Sequence, residues 1–343
     1  MRLMGGIKNA REDNIMNYLI TGATGYIGSA LTKYILNGNK TDRVFALVRS
    51  GSVNKAEQML PTQTHIIGAD LSDRKEVLSV CRQLNETGVQ QIDYILHCAS
   101  ITKSSEMREH PVEVIESIVN TTQNMMELAR QTQARSVVVL SSMEVYGDID
   151  CSDGHRVTED EVSYGKVELL NIRSCYPLGK RMVENICYCY YKEYGVPVKI
   201  ARLAQTFGTG VLPSDNRVFA QFSRAAVSGE NIVLHTAGNS MGNYCGIEDA
   251  VRGILTILQK GKNGEAYNVV NEANTMSIRQ MAELVCEKIA DGHIQVEFDI
   301  PEDNTFGYAA DTGLRLSGQK LKDLGWEPEK LLEDMYWDMV KNK

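Results

Sequence analysis

The stretch Thr21-Gly22-Ala23-Thr24-Gly25-Tyr26-Ile27-Gly28 constrains the fold more than any other part of this chain. An apolar strand, Tyr18-Leu19-Ile20, leads into it. Apolar residues at helical spacing, Ile27, Ala30, Leu31, Tyr34 and Ile35, lead out. A strand, a glycine-rich turn and a helix in that order form a site for a dinucleotide. Gly22 permits the tight turn, Gly25 lets the backbone approach a pyrophosphate, and Gly28 lets helix and strand pack closely. The helix N-terminus then presents unpaired N–H groups and the positive end of its dipole to the phosphates.

The rest of the first 200 residues repeats that rhythm. Short apolar runs at Tyr18–Ile20, Val44–Val48, His65–Ile67, Tyr94–Leu96, Val137–Leu140 and Val198–Ala201 alternate with helical patterns such as Glu113–Arg130 and Lys180–Tyr194. Runs that are apolar at nearly every position are strands buried on both faces, hence a parallel sheet covered by helices. The crossover rule makes it a doubly wound, Rossmann-type α/β sheet with ligands at the carboxyl ends of its strands. Beyond Gly208 the rhythm changes to a polar loop (Leu212–Asn216), a helix (Val218–Ser228) and a short strand (Asn231–His235). Ala266–Val270 reads as a strand returning to the main sheet, and Met276–Ala290 and Ser317–Leu324 as amphipathic helices of a smaller mixed C-terminal lobe. The expected organisation is an extension over 1–16, a nucleotide-binding domain over 17–208 to which segments near 243–271 return, and a mainly substrate-binding lobe over 209–343. Met1–Asn17 is polar and mixed in charge, unlike a signal peptide, and Met16 suits an alternative start.

Composition excludes several classes. The 36 basic and 44 acidic residues give a net charge of −8 with no long run of either sign, which argues against a nucleic-acid groove. No apolar stretch approaches the ~20 residues of a membrane span. Eight cysteines and six histidines are scattered without metal-ligand spacing, so no metal is expected. Cys187 and Cys189 point to different faces of one helix, and reduced thiols in the cytoplasm are the reading.

The chemistry lies in two further segments. Val137-Val138-Val139-Leu140 runs into Ser141-Ser142-Met143-Glu144-Val145-Tyr146-Gly147, and Tyr176-Pro177-Leu178-Gly179-Lys180 follows. Residues four apart share a helix face, so Lys180 sits beside Tyr176. Its ammonium is expected to stabilise the phenolate and lower the tyrosine pKa from ~10, making it an acid/base. A serine at a strand's carboxyl end can bond the same substrate oxygen.

Taken together, these motifs resemble the extended short-chain dehydrogenase/reductase family, in its nucleotide-sugar epimerase/dehydratase branch. The resemblance runs from Tyr18 to Glu333. It includes Gly68-Ala69-Asp70-Leu71, His97-Cys98-Ala99-Ser100, Asn120, Arg202-Leu203-Ala204-Gln205-Thr206-Phe207-Gly208 and Leu324-Gly325-Trp326-Glu327-Pro328. It implies a cofactor site made by Gly22, Thr24, Gly25, Tyr26, Ile27, Gly28, Arg49, Asp70, Leu71, Cys98, Ala99, Ser100, Asn120, Tyr176, Lys180 and Leu203. It also implies a substrate side made by Thr102, Ser142, Met143, Gln205, Arg217 and Tyr244. By that resemblance Tyr176 is the acid/base, Lys180 holds the nicotinamide ribose, Ser142 orients the reacting oxygen, and the opening step oxidises a sugar C4 hydroxyl. Glu144 stands where 4,6-dehydratases and sugar decarboxylases carry a glutamate that acts on the acidified C5 position. A homodimer built on the Glu113–Arg130 and Lys180–Tyr194 helices is implied as well.

Four positions depart from the family pattern. Met143 replaces an acidic residue of one dehydratase group, and Gln205 replaces a frequent asparagine. Gly242 stands where relatives place an arginine against the substrate diphosphate, and a second arginine is missing from Pro301–Phe306. Each lost guanidinium removes bonds worth ~1.5–3 kcal/mol, for which Arg217 could compensate. The second strand ends Val48-Arg49-Ser50 with no carboxylate for a ribose 2′-hydroxyl, so NADP is expected ahead of NAD. The leading expectation is an NAD(P)-dependent nucleotide-sugar dehydratase or epimerase working through a 4-keto intermediate. The alternatives are an NADPH-consuming reductase of a keto-sugar or polyol derivative, and a non-catalytic NADP-binding sensor.

Overall fold

The computed structural model describes residues 15–86, 88–89, 91–302 and 311–341. Residues 1–14 of the expected extension lie outside the described residues, as do 303–306 of the segment lacking the second arginine. The strands are β1 (Asn17–Thr21), β2 (Arg43–Val48), β3 (His65–Gly68), β4 (Tyr94–His97), β5 (Ser136–Ser142), β6 (Val198–Leu203), β7 (Gln205–Phe207), β8 (Ile232–Leu234), β9 (Met241–Gly246), β10 (Ala266–Val269), β11 (Asn271–Ser277) and β12 (Val296–Phe298).

Seven of them pair in the order β10-β6-β5-β4-β1-β2-β3, every neighbouring pair parallel. The strand order reverses between β1 and β4, and that switch point opens a crevice at their carboxyl ends. The unbroken apolar runs follow from the two-sided burial. On one face Leu19, Phe45, Leu47, Ile95, Val137 and Val139 pack under the Arg74–Glu86, Pro111–Thr132 and Cys175–Tyr194 helices. On the other, Ile20, Ala46, Leu96, Val138 and Leu140 pack under the Tyr26–Gly38 and Ile247–Lys260 helices. Successive side chains of one strand thus enter two different cores, and neither face tolerates a polar alternation. The Ala266–Val270 run does return to this sheet, as β10 on β6.

The C-terminal lobe carries a three-stranded sheet, β11-β9-β7, and a two-stranded one, β12-β8. Its mixed pairing, antiparallel β11–β9 and parallel β7–β9, is the smaller mixed element expected. Phe207 and Phe219 stack at 4.3 Å in its core with Tyr244 and Tyr336 against them. The amphipathic segment expected as one helix over Met276–Ala290 is an α-helix over Ile278–Leu284 that widens into a π turn at Val285–Ile289. Its start is a capping box in which Ser277 accepts from Gln280 N at 3.1 Å. Cys187 is buried and Cys189 exposed, on opposite faces of their helix. Among the described residues no helix is long and apolar enough to cross a membrane.

Candidate active site

The switch-point crevice is lined by backbone. Gly22 has φ +64°, and a Cβ there would sit 2.8 Å from Ala99 N across the crevice. Gly25 N donates to Gly22 O at 2.9 Å, and Gly25 caps the Tyr26–Gly38 helix without a side-chain bond to its first N–H groups. A Cβ on Gly28 would overlap the Gly22 carbonyl. Both outer glycines are therefore sterically required, and the helix presents its amide end to whatever enters. Such a cradle fits the pyrophosphate of a dinucleotide.

A buried polar triad holds the opposite wall. Thr21 Oγ1 accepts from Cys98 N at 3.1 Å and from Ala99 N at 3.2 Å, leaving its one proton for His97 Nδ1 at 2.8 Å. Thr122 Oγ1 gives its proton to Ile118 O at 2.7 Å, so His97 Nε2 must donate to it across 3.2 Å. Donor counting thus assigns one neutral tautomer, in accord with burial pushing the His97 pKa down to about 3. The motif His97-Cys98-Ala99-Ser100 was legible in the sequence; the part played by Thr21 and Thr122 was not.

Where the cofactor's ribose is expected, Arg49 and Ser50 lie exposed at the end of β2. Asp70 accepts from Ser72 N and Ser72 Oγ at 2.9 and 2.7 Å, which with nearby Arg49 keeps its carboxyl below the usual range. Leu71 is buried, and its carbonyl is held by Asn124 Nδ2 at 2.9 Å. The expected Asn120 is exposed one turn earlier, and the buried amide tying the helix to this loop is that of Asn124.

At the end of β5 the side chains expected to be catalytic converge. Ser142 Oγ accepts from Glu144 N at 3.2 Å, and its side chain lies near enough to Tyr176 to favour the phenolate. Tyr176 is buried, and its pKa is raised by that burial and by Glu144, against Ser142 and Arg217. This direction is opposite to the one expected from Lys180. The Lys180 ammonium lies 5.8 Å from the centre of the Tyr176 ring and donates to Leu140 O at 2.9 Å. Burial lowers the Lys180 pKa to about 8, so desolvation governs both members of the pair. Glu144 is half-buried; desolvation raises its carboxyl above the usual range, partly offset by Arg173 Nη2 at 3.8 Å. Met143 packs beside Val145 and Tyr146 as apolar filling.

Behind these groups lies a network absent from the sequence reading. Arg202 bonds Glu184 through Nε and Nη2 at 3.0 and 2.8 Å, and Tyr146 Oη at 2.9 Å. Glu184 also accepts from Ser141 Oγ at 2.6 Å, and Tyr146 Oη donates to Asn268 Oδ1 at 2.8 Å. Arg202 therefore holds the Met143–Tyr146 turn to β6, and Glu184 ties β5 and β6 to the Tyr176 helix by charge-assisted bonds.

Leu203, expected on the cofactor side, and the residues expected on the substrate side are less uniform. Thr102 is exposed after β4, Gln205 and Leu203 are half-buried, and Arg217 is exposed, pairing with Asp215 at 2.6 Å and stacking on Phe219 at 4.6 Å. Tyr244, expected to face a ligand, is fully buried, edge-on to Phe207 at 5.9 Å. Its hydroxyl occupies the space where a Cβ on Gly242 would project. A side chain at position 242 would therefore displace Tyr244, whose ring belongs to the core of the lobe.

The model of the NAD dependent epimerase/dehydratase family matches residues 18–270. The chain belongs to this family. Among curated proteins it is similar to UDP-glucuronic acid decarboxylase 6 of Arabidopsis thaliana, 28% identical over 93% of this chain and 86% of that one. Its fold is shared by UDP-glucose 4-epimerase of Thermotoga maritima, with a TM-score of 0.80 at 20% identity over 95% of this chain and 98% of the other. dTDP-glucose 4,6-dehydratase of Bacillus anthracis, solved with NAD, gives 0.74 at 20% over 95% and 96%. As a member of the epimerase/dehydratase family the chain is an enzyme that works with a nicotinamide dinucleotide.

Proposed function

We propose that the protein acts on a nucleotide sugar through a 4-keto intermediate, with Glu144 diverting that intermediate toward dehydration or decarboxylation. The convergence of Ser142, Glu144 and Tyr176 at the end of β5 carries this reading. The bound dinucleotide supplies a hydride acceptor that later returns the hydride. Ser142 orients the C4 oxygen and Tyr176 takes its proton as C4 is oxidised, returning it when C4 is reduced. The new carbonyl acidifies C5, and Glu144 is the carboxyl group beside Tyr176 able to take or give a proton there. Its raised pKa suits that exchange. Lys180, fixed by Leu140 O, and the triad of Thr21, His97 and Thr122 position the groups around the nicotinamide end.

The cofactor we assign is NAD, in place of the NADP expected from Arg49. The family is named for NAD, and Arg49 has the Asp70 carboxylate near it at the strand end. The Pro111–Thr132 and Cys175–Tyr194 helices pack on each other and leave Val112, Ile115, Met182 and Tyr188 exposed, a face suited to a second copy of the chain.

The test is product mass spectrometry on a panel of UDP-, dTDP-, CDP- and GDP-sugars, uronic acids included. Loss of water or carbon dioxide with only catalytic NAD supports the proposal. A gain of two hydrogens with consumption of excess NADPH replaces it with the reductase reading.

A further inference from the structure

Arg173 stands three residues before Tyr176, in the short turn Ile172–Ser174 that leads into the Cys175–Tyr194 helix. Asn171 Oδ1 accepts from Arg173 N at 3.0 Å and fixes the backbone of that turn. The side chain reaches two groups at the active site. Nη1 donates to Ser104 Oγ at 2.8 Å, just beyond Thr102, and Nη2 lies 3.8 Å from Glu144 Oε2. Ser104 Oγ also receives Arg108 Nη1 at 3.2 Å, so two guanidinium groups meet on one hydroxyl.

The contact with Glu144 does not use up the charge of Arg173. At 3.8 Å it is too long for a hydrogen bond, and the two side chains are 43% and 40% exposed. An ion pair so open to water contributes less than about 1 kcal/mol. Glu144 stays raised despite it. The Arg217 guanidinium, by contrast, is held by Asp215 at 2.6 Å.

Position then restricts what Arg173 meets. In the reaction proposed above, on which this inference rests, Glu144 acts at C5 of the sugar, and the carbon bonded there is C6. A guanidinium beside Glu144 therefore borders C6. A neutral hydroxymethyl group offers it one weak acceptor, whereas a carboxylate offers a bidentate, charge-assisted pair. We propose that Arg173 reads the C6 carboxylate of a nucleotide-linked hexuronic acid and selects it over the neutral hexose.

The test measures affinity, in NAD-loaded protein carrying Tyr176→Phe to block turnover. The probes are matched pairs: UDP-glucuronic acid with UDP-glucose, and dTDP-glucuronic acid with dTDP-glucose. With Arg173 intact, the uronate of one pair binds about ten-fold tighter or more. Arg173→Met removes that preference, leaving the neutral sugar within about two-fold of its original Kd, and Arg173→Lys retains part of it. Equal affinity for both members, or an equal loss for both in Arg173→Met, overturns this inference and leaves the nucleotide-sugar reading standing. Binding of none of the four overturns both.

Discussion

The guanidinium of Arg181 donates to the carbonyl of Val145 at 2.7 Å, joining the helix that carries Tyr176 and Lys180 to the turn that carries Glu144. The same side chain reaches Gly165 O at 2.9 Å and Val162 O at 3.3 Å. Removing it leaves carbonyls of two segments, the Met143–Tyr146 turn and the 162–165 stretch, without that donor. Arg181→Met is expected to lower stability by about 2–3 kcal/mol and to reduce kcat well below what that loss explains, with NAD affinity nearly unchanged. Thermal denaturation, NAD titration and steady-state kinetics together check this.

Tyr176→Phe removes the acid/base while keeping the ring in its buried site. Turnover is expected to fall by about 10²–10⁴-fold with NAD binding and melting temperature preserved. Retained activity would place the proton transfer on another group.

The raised carboxyl of Glu144 has a thermodynamic consequence. Its folded pKa exceeds the ordinary 4.5, so the native state holds the proton more tightly than the unfolded one. Stability is accordingly lost as pH climbs from about 4.5 through the folded value. Glu144→Gln is expected to raise the melting temperature at pH 7.5 and to gain much less near pH 4, while abolishing loss of water or carbon dioxide. A gain that does not depend on pH would contradict the assignment of desolvation as the dominant cause.

Gly22→Ala faces two obstacles together, a positive φ and the amide of Ala99 at 2.8 Å. A loss of about 1–3 kcal/mol in stability is expected from the backbone alone, accompanied by loss of NAD binding measurable by calorimetry. Added NAD should stabilise the wild type and not the variant.

Tyr244 Oη is buried with no hydrogen-bond partner among the described residues. Tyr244→Phe removes the cost of that desolvated hydroxyl and is expected to stabilise the fold by about 1 kcal/mol, read as a shift in the denaturation midpoint, without altering substrate affinity. A fall in affinity would restore Tyr244 to the ligand side.

The sequence by itself determined the parallel sheet, because Leu19 and Ile20, or Val137 and Val138, enter opposite cores and both must be apolar. It also determined the crevice, since the positive φ of Gly22 and the packing of Gly28 on the Gly22 carbonyl are local to one turn, and it paired Tyr176 with Lys180 through spacing along one helix, while Ser142 and Glu144 rest on the family resemblance. Tertiary structure decided what spacing cannot carry. The pKa directions of Tyr176 and Lys180 come from desolvation by distant elements, which overrides the charge of a neighbour four residues away. The inward turn of Tyr244 depends on Phe207, thirty-seven positions earlier, and the bond of Asn124 to the Leu71 carbonyl depends on where the loop after β3 lies. Arg173 shows no pattern of its own in the chain. Its meaning arises only when the turn before the Tyr176 helix folds against Ser104 and Glu144, because a charge acquires a role from its neighbours in space and not from its neighbours in sequence.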